Sequence, residues 1–285
     1  MASAKDIKKR IRGVKNIQQI TRAMEMVAGA KLRRAQVLAE SAKSYTEKIG
    51  SLMQNLGSSV VGFENPLLAT REERNVALVL ITSDRGLCGA YNSNLFKKVE
   101  SYFKENSKKK IALYCVGKKG NTYFSHRDYD IRFYSPAESK VMTLEKVNEL
   151  AGKLIDDYIQ GSFDKILIVF SKFVSVINQL PSERPLLPLK KIEAKENETV
   201  DYIFEPSPEI LLDTLFPKYL ENQMYNSLVE SYASELAARL VSMKNATKSA
   251  GEMIDSLTLT YNKARQSGIT KEILEIISGA EALKG

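Results

Sequence analysis

The segment of this chain with the residue types best suited to chemistry is Ser83–Ala90, which runs Ser-Asp-Arg-Gly-Leu-Cys-Gly-Ala. It follows an apolar stretch typical of a strand and precedes a helix, which is where α/β folds often place phosphate-binding loops. Its glycine spacing fits neither the three-glycine dinucleotide fingerprint nor a Walker A loop ending in Gly-Lys-Ser or Gly-Lys-Thr. The residues therefore favour a structural turn that directs Arg85 at a partner or at a long helix over a nucleotide site.

Other residue sets that could support catalysis or metal binding are lacking in the sequence. The single histidine, His126, lies in a polar Ser-His-Arg-Asp stretch, which excludes a histidine-cluster metal site and disfavours a Cys-His nucleophile pair. Cys88 and Cys115 lie in or beside apolar stretches with no His or Cys at metal-ligand spacing, so we expect reduced core thiols in a cytosolic compartment. The residues predict a protein that is not an enzyme and has no catalytic residues, metal or cofactor.

The elements around these residues indicate a small α/β domain in the middle of the chain. Apolar runs predict strands over 76–83, 111–116, 131–134 and 165–173, and amphipathic spacing predicts helices over 92–105 and 144–160. Strands that alternate with helices indicate a mostly parallel sheet. The proline-rich stretch 178–191 is expected to be a loop or sheet edge, and 200–205 a last short strand.

Both ends of the chain predict very long helices. All eight prolines lie between Pro66 and Pro217. At about 1.5 Å per residue each end would span on the order of 80–110 Å, whereas a compact chain of this length is roughly 50 Å across. Both helices would thus project from one middle domain, most simply as an antiparallel pair. Ser207 and Pro208 suit the start of the second helix, and Pro217 would kink it.

The predicted fold class is α/β: a long antiparallel coiled coil of N- and C-terminal helices with an inserted Rossmann-like α/β domain. The expected parts are a coiled-coil helix over 1–60, the α/β domain over 61–206 and a second coiled-coil helix over 207–285. An ordinary helical bundle with small core residues is the alternative.

Heptad spacing supports the coiled coil, more clearly in the second helix than in the first. In the second helix an unbroken alternation of four and three joins Leu236, Leu240, Met243, Thr247, Ala250, Ile254, Leu257, Tyr261 and Ala264. In the first helix the apolar positions slip in places; they are Ile7, Ile11, Val14, Ile17, Ile20, Met24, Val27, Leu32, Ala35, Ala39, Ala42, Ile49, Leu52 and Leu56. The second helix should exceed the first by about 20 residues, or roughly 30 Å, so its end should project alone.

Positive charge is concentrated at the start of the chain. The first 34 residues hold ten Lys or Arg against Asp6 and Glu25, a net of +8 that equals the net charge of the whole chain. Such a helix attracts nucleic acid, anionic lipid or an acidic protein surface. A solvated face and a transit peptide are the alternatives, although the basic stretch continues into the apolar helix. No run of about 18 apolar residues occurs, so the sequence predicts no membrane span.

Several long segments closely resemble the gamma subunits of F-type ATP synthases, and the resemblance extends from end to end. The segments are Lys5–Lys8, Ile20–Gln36, Thr82–Gly89, Tyr261–Gln266, Ile269–Ile273 and Ile276–Ala280. The resemblance implies a non-catalytic central rotor stalk, present once per complex. Its two helices would pass through a ring of three alpha and three beta subunits, and its α/β domain would lie near the epsilon subunit and the membrane ring of c subunits.

The resemblance also implies where such a chain would work and which residues would contact partners. The chain lacks the inserted dithiol loop of chloroplast members, which implies a bacterial protein on the cytoplasmic face of the plasma membrane. Beta-subunit contacts are expected from Met24, Lys31, Arg33, Arg34, Arg265, Gln266, Thr270 and Glu275. Tyr202, Phe204 and Glu205 are expected at the foot, facing epsilon and the ring. An apolar sleeve is expected around the apolar tip Ile269–Leu283.

Two other functions remain open from the residues alone. A basic-helix protein that binds nucleic acid predicts salt-sensitive DNA binding and a parallel homodimer. A nucleotide-binding α/β domain with a coiled-coil arm predicts that the isolated chain binds ATP. For the polar residues of the tip, the alternative to a partner contact is that they cap and solvate the helix surface.

Overall fold

The computed structural model describes residues 4–58, 64–137, 144–189 and 207–282. The chain forms two compact units, one of residues 1–28 and 240–285 and the other of residues 29–239. Helices α1 (Ala4–Ser58) and α5 (Pro208–Ala282) each contribute to both units without interruption. The two predicted long helices are confirmed, and α5 with 75 residues exceeds α1 with 55 by the expected 20. The domain bounds at 60 and 207 stay a prediction.

In the first unit, α1 and α5 pair in antiparallel orientation. The Thr247 hydroxyl lies 2.9 Å from the Thr21 hydroxyl. Three residues earlier in α1, the Gln18 side chain faces Gly251, four residues later in α5. Residue numbers fall in one helix as they rise in the other, so the pair is antiparallel, as predicted. The predicted α5 seam is confirmed as well, because all of its members are buried or half-buried.

The predicted α1 seam was wrong at four positions. Ile17, Ile20, Val27 and Leu52 are exposed, with 48–59% of each residue accessible. The inward residues instead follow an unbroken four-three alternation through polar and small side chains: Ile7, Ile11, Val14, Gln18, Thr21, Glu25, Ala28, Leu32, Ala35, Ala39, Ala42, Thr46, Ile49, Met53 and Leu56. The apolar positions slip because several inward positions hold polar residues. The heptad geometry places some polar residues inside, such as Gln18 and Thr21, and leaves some apolar ones outside, such as Ile17 and Ile20.

The second unit contains a five-stranded sheet. Its strands are β1 (Asn75–Ile81), β2 (Lys110–Val116), β3 (Ile131–Ser135), β4 (Lys165–Phe173) and β5 (Gln179–Leu187), in the order β3-β2-β1-β4-β5. The first four are parallel, and β5 runs antiparallel to β4. The four predicted strands are confirmed to within two residues at each end. The stretch expected to be loop or edge is the edge strand β5, whose Pro181 and Pro185 suit an edge position.

Helices cover both faces of this sheet. Alternate residues of β1 point to opposite sides: Ala77, Val79 and Ile81 join a core with α4 (Leu144–Ile159) and with parts of α1 and α5. Val76, Leu78 and Leu80 join a second core with α2 (Tyr91–Glu105) and α3 (Lys118–Ser125). Helix α3 and a 3₁₀ turn at Pro66–Leu68 were not predicted. The expected strand over 200–205 lies outside the described residues.

Gly117 permits the close approach of the segments that follow β1 and β2. Its φ of 105° lies in the region that favours glycine. A Cβ atom there would stand 2.2 Å from the Thr82 carbonyl oxygen and 2.6 Å from the Thr82 hydroxyl oxygen. Neither backbone can move away cheaply, because Thr82 N–H donates to the Val116 carbonyl oxygen at 2.8 Å.

We expect Gly117→Ala to lower the free energy of unfolding by about 3 kcal/mol or more, because the added methyl meets backbone and the φ is strained. Gly152→Ala is the matched control, since apart from the adjoining backbone of helix α4 nothing lies within 4 Å of the added Cβ. That variant should be neutral or stabilising by up to about 1 kcal/mol. Chemical denaturation of both variants measures the difference, and equal stabilities would contradict the steric argument.

Candidate functional site: partner-binding surfaces

The 83–90 loop (Ser83–Ala90) lies at the carboxyl ends of the parallel strands, beside the N-terminus of α3. The first three peptide N–H groups of α3 would suit a phosphate, but all three are already bound. Lys118 N–H donates to the Asp84 carboxylate at 2.8 Å, Lys119 N–H to the Ser83 carbonyl at 3.0 Å, and Gly120 N–H to the Thr82 hydroxyl at 2.9 Å. Oxygen atoms of Thr82, Ser83 and Asp84 therefore occupy the position where a phosphate would bind.

Asp84 also joins a third element to this edge of the sheet. Its Oδ1 atom accepts the Ala137 N–H at 3.1 Å, just beyond strand β3. One carboxylate oxygen thus holds the segments that follow β1, β2 and β3 together. This role is structural, as the sequence predicted for the loop.

The two cysteines are free and buried, as predicted for core thiols. Asn92 Nδ2 lies 3.3 Å from Cys88 Sγ and 2.7 Å from the Ser83 hydroxyl oxygen, which closes the loop onto helix α2. Burial raises the pKa of the Cys88 thiol, and burial raises that of Cys115 to about 12. Thiolate is the reactive form, so neither residue has the environment of a nucleophile.

Helix α5 binds the other half of the loop through Arg239. The Nη2 atom of Arg239 lies 3.4 Å from the Arg85 carbonyl oxygen and 3.3 Å from that of Gly86. Its Nη1 atom lies 2.6 Å from the Glu235 carboxylate, one helical turn earlier. Burial raises the pKa of Glu235, and Arg239 opposes that rise. The Arg85 side chain itself is exposed, so it is the Arg85 carbonyl rather than its guanidinium that meets the long helix.

Helix α1 presents a surface that is both basic and apolar. All ten Lys and Arg residues of the first 34 are exposed, including Lys31, Arg33 and Arg34, whereas Met24 is half-buried. Exposed apolar side chains lie on the same helix: Ile17, Ile20, Met26, Val27 and Val37. Large apolar side chains exposed at such density indicate a surface that a partner covers.

The end of α5 is exposed along its whole described length from 265 to 281. Thr270 donates its hydroxyl hydrogen to the Gln266 carbonyl at 3.0 Å, and Glu275 pairs with Lys271 at 3.6 Å. These two expected contact residues have local partners. Among the described residues the side chains of Arg265 and Gln266 have none. Five exposed apolar residues follow: Ile269, Ile273, Leu274, Ile276 and Ile277.

Tyr202, Phe204 and Glu205, the expected foot residues, lie outside the described residues. Within the described ranges no group of three or more His, Cys, Asp or Glu could hold a metal ion. The helices of these ranges also contain no apolar stretch of membrane-spanning length.

Sequence reasoning missed Arg239 and the polar members of the α1 seam. For Arg239 a signal was available in the sequence: Glu235 and Arg239 lie four residues apart on α5, on either side of the seam residue Leu236. For the polar members of the α1 seam, the signal was the strict four-three spacing, which runs through Gln18 and Thr21.

The α/β domain lies in sequence between two long helices, and these helices expose apolar and basic side chains. Such surfaces are typical of proteins that act through contacts with partners. A family model described as ATP synthase matches residues 3–283. The ATP synthase gamma chain of Desulforamulus reducens is 42% identical over 285 residues, and that of Moorella thermoacetica is 44% identical over 284, each covering 100% of both chains. The chain belongs to the ATP synthase gamma chain family.

Solved structures agree with this assignment. A chain of the central stalk and c-ring structure of Tetrahymena thermophila mitochondrial ATP synthase is 26% identical, with a TM-score of 0.62, covering 80% of this chain and 99% of that one. A chain of the Euglena gracilis mitochondrial ATP synthase rotor shares the fold, with a TM-score of 0.66 at 20% identity, covering 93% of this chain and 98% of that one.

Proposed function

We propose that this chain is the central rotor stalk of a bacterial F-type ATP synthase. It couples rotation of the membrane ring, driven by protons or sodium ions, to ATP synthesis on the beta subunits. The observation that carries the proposal is the exposed apolar surface of the two helices, above all the five apolar residues that follow Gln266 on α5. In water such a surface is unfavourable, and a surrounding sleeve of other subunits would bury it.

The proposed partners follow from charge and from the family. Three alpha and three beta subunits would surround the helices of a single gamma chain. The exposed Lys31, Arg33 and Arg34 would meet acidic segments of beta. Screened attraction of this kind is weak enough to be broken and remade at each step of rotation. The epsilon subunit and the c-ring would contact the foot, including Tyr202, Phe204 and Glu205.

The chain would contribute no catalytic residue. The phosphate position beside α3 is filled by Asp84 and its neighbours, which supports a role in which ATP chemistry belongs to the beta subunits. The chain would be located at the cytoplasmic face of a bacterial plasma membrane, where its partners would hold it as a peripheral subunit. Antiparallel pairing within one chain argues against the DNA-binding alternative, which needs a parallel homodimer.

Reconstitution with alpha and beta subunits tests the function. We expect one chain to co-purify with three copies of each, and ATP turnover of the assembly to depend on it. Calorimetry of the isolated chain with millimolar ATP should show no binding. ATP binding by the isolated chain, or its failure to assemble with alpha and beta, would overturn the proposal.

Neutralising Lys31, Arg33 and Arg34 to Gln should lower ATP turnover of the assembled complex severalfold, because three weak charge contacts with beta are lost together. The free energy of unfolding of the chain should change by no more than about 0.5 kcal/mol, as is usual for exposed side chains. The control is Gln at Lys97, Lys104 and Lys108, three exposed lysines on helix α2 and just after it, because it removes the same charge. A fall in stability with normal turnover would make the three charges structural.

Replacing Arg265 and Gln266 with Ala should lower turnover of the complex by about tenfold without preventing assembly, because their partner groups inside the sleeve lose a hydrogen bond. Ala at Lys244 and Asn245 is the matched control, since it also removes one exposed cation and one exposed amide from α5. Turnover and proton coupling are measured on both complexes. Wild-type values in the Arg265/Gln266 variant would leave these residues with a solvating role only.

A further inference from the structure

The 83–90 loop is held by helices α2, α3 and α5 and by the segment that follows β3. Its first half is fixed by Asp84, which accepts the N–H groups of Lys118 and Ala137. Its second half meets helix α5, where Arg239 approaches the carbonyl oxygens of Arg85 and Gly86. The Asp84 contacts stay within the α/β domain. The Arg239 contact joins the loop to the long helix.

The second half of the loop has a backbone that needs support. Leu87 has a φ of 64°, a left-handed conformation that a residue with a branched side chain rarely adopts. Its side chain is also exposed, with 61% of the residue accessible, so packing of Leu87 does not compensate for the strain. Such a conformation persists only where surrounding contacts fix it. Two residues before Leu87, the Arg85 carbonyl oxygen accepts the Ser83 hydroxyl hydrogen at 2.7 Å and also lies close to Arg239.

We infer that Arg239 is a positioning residue that fixes the 83–90 loop to helix α5, so that Arg85 and Leu87 are presented in one orientation relative to that helix. This role goes beyond the proposed stalk function, which assigns nothing to Arg239. Any displacement of α5 at Arg239 would then be carried to the exposed face of the loop. The link is direct, since the guanidinium of a residue on α5 touches the loop.

An arginine suits this position for geometric reasons. Its planar guanidinium carries donors on separate nitrogens, so Nη1 can bind the Glu235 carboxylate while Nη2 binds the loop carbonyls. Both side chains of the pair are only 13% exposed, which keeps water from competing for these bonds. A lysine could retain the charge opposite Glu235, but its single ammonium is not a planar fork.

The loop contains its own reporter. Cys88 is 2% exposed and lies within the loop, whereas Cys115 is fully buried in strand β2 and outside it. Maleimide labelling of the full-length chain, followed by mass spectrometry, gives the rate at each cysteine separately. We expect Arg239→Gln to raise the Cys88 rate by about tenfold, as local opening becomes easier, and to leave the Cys115 rate unchanged. Arg239→Lys should give a smaller rise.

Arg127→Gln is the matched control. Arg127 also donates to a carbonyl oxygen, that of Tyr123 at 2.9 Å, and stacks on the Tyr123 ring, but it does not touch the loop. It should change neither rate. An unchanged Cys88 rate in Arg239→Gln overturns the inference, as does an equal rise at both cysteines. If Arg239→Gln does not fold, Arg239→Lys is judged by the same two criteria.

A second measurement connects the loop to turnover and rests on the proposed function. In the complex assembled with alpha and beta, Arg239→Gln should lower ATP turnover severalfold, whereas Arg127→Gln should not. Equal turnover in the two variants would overturn the part of the inference that concerns presentation to a partner. If the wild-type chain does not assemble at all, the proposed function fails, while the labelling result still decides whether Arg239 fixes the loop.

Discussion

Close approach between helix α5 and the sheet is the constraint on which the second unit depends. At the end of strand β4, the Ser171 N–H donates to the Ser231 hydroxyl at 3.2 Å, and Ser171 O accepts the Ser234 hydroxyl at 2.8 Å. Ser231 also meets the Tyr91 hydroxyl of α2 at 2.7 Å. These serines are buried, and each satisfies a polar group that would otherwise be buried without a partner. Only a small hydroxyl side chain achieves both the short distance and the hydrogen bond, and the approach brings Arg239 within reach of the loop.

The seam of the first unit provides only modest cohesion. Thr21 and Thr247 place hydroxyl groups where a strong coiled coil has large apolar residues, and Ala28 and Ala250 add little buried area. Each hydroxyl also lies close to a carbonyl oxygen of its own helix, that of Gln18 at 3.0 Å for Thr21 and that of Met243 at 2.9 Å for Thr247. Both hydroxyls therefore stay hydrogen-bonded without the partner helix, and the pair adds little to the cohesion of the two helices. The apolar side chains that the seam does not use, such as Ile17 and Ile20, remain outside. The same sequence pattern therefore makes the pairing of α1 with α5 weak and leaves apolar side chains on the outer surface of α1.

The sequence predicted the elements better than the contacts, and the reasons are physical. Strands such as β1 and β4 are continuous apolar runs buried on both faces, so their bounds follow from composition alone. Helix α3 was missed because it is short and polar and contains Gly120, which packs against Thr82. The contact of Arg239 with the loop was missed because its partners there are backbone carbonyls 153 and 154 residues away, and backbone groups leave no trace in residue type. The exposure of α1 apolar residues could be found only once the true seam was known.

The carboxyl edge of the sheet shows how a fold associated with nucleotide binding can serve partner contacts instead. In such folds the helix N-terminus beside the first strands offers free N–H groups to a phosphate. Here Asp84 supplies a carboxylate to the N-terminus of α3, so the favourable charge interaction is satisfied within the chain. A phosphate would have to displace that carboxylate and break its bond to Ala137. The same contacts that remove a ligand site stiffen the loop, and a stiff loop with an exposed Leu87 suits contact with another protein at little cost in conformational entropy.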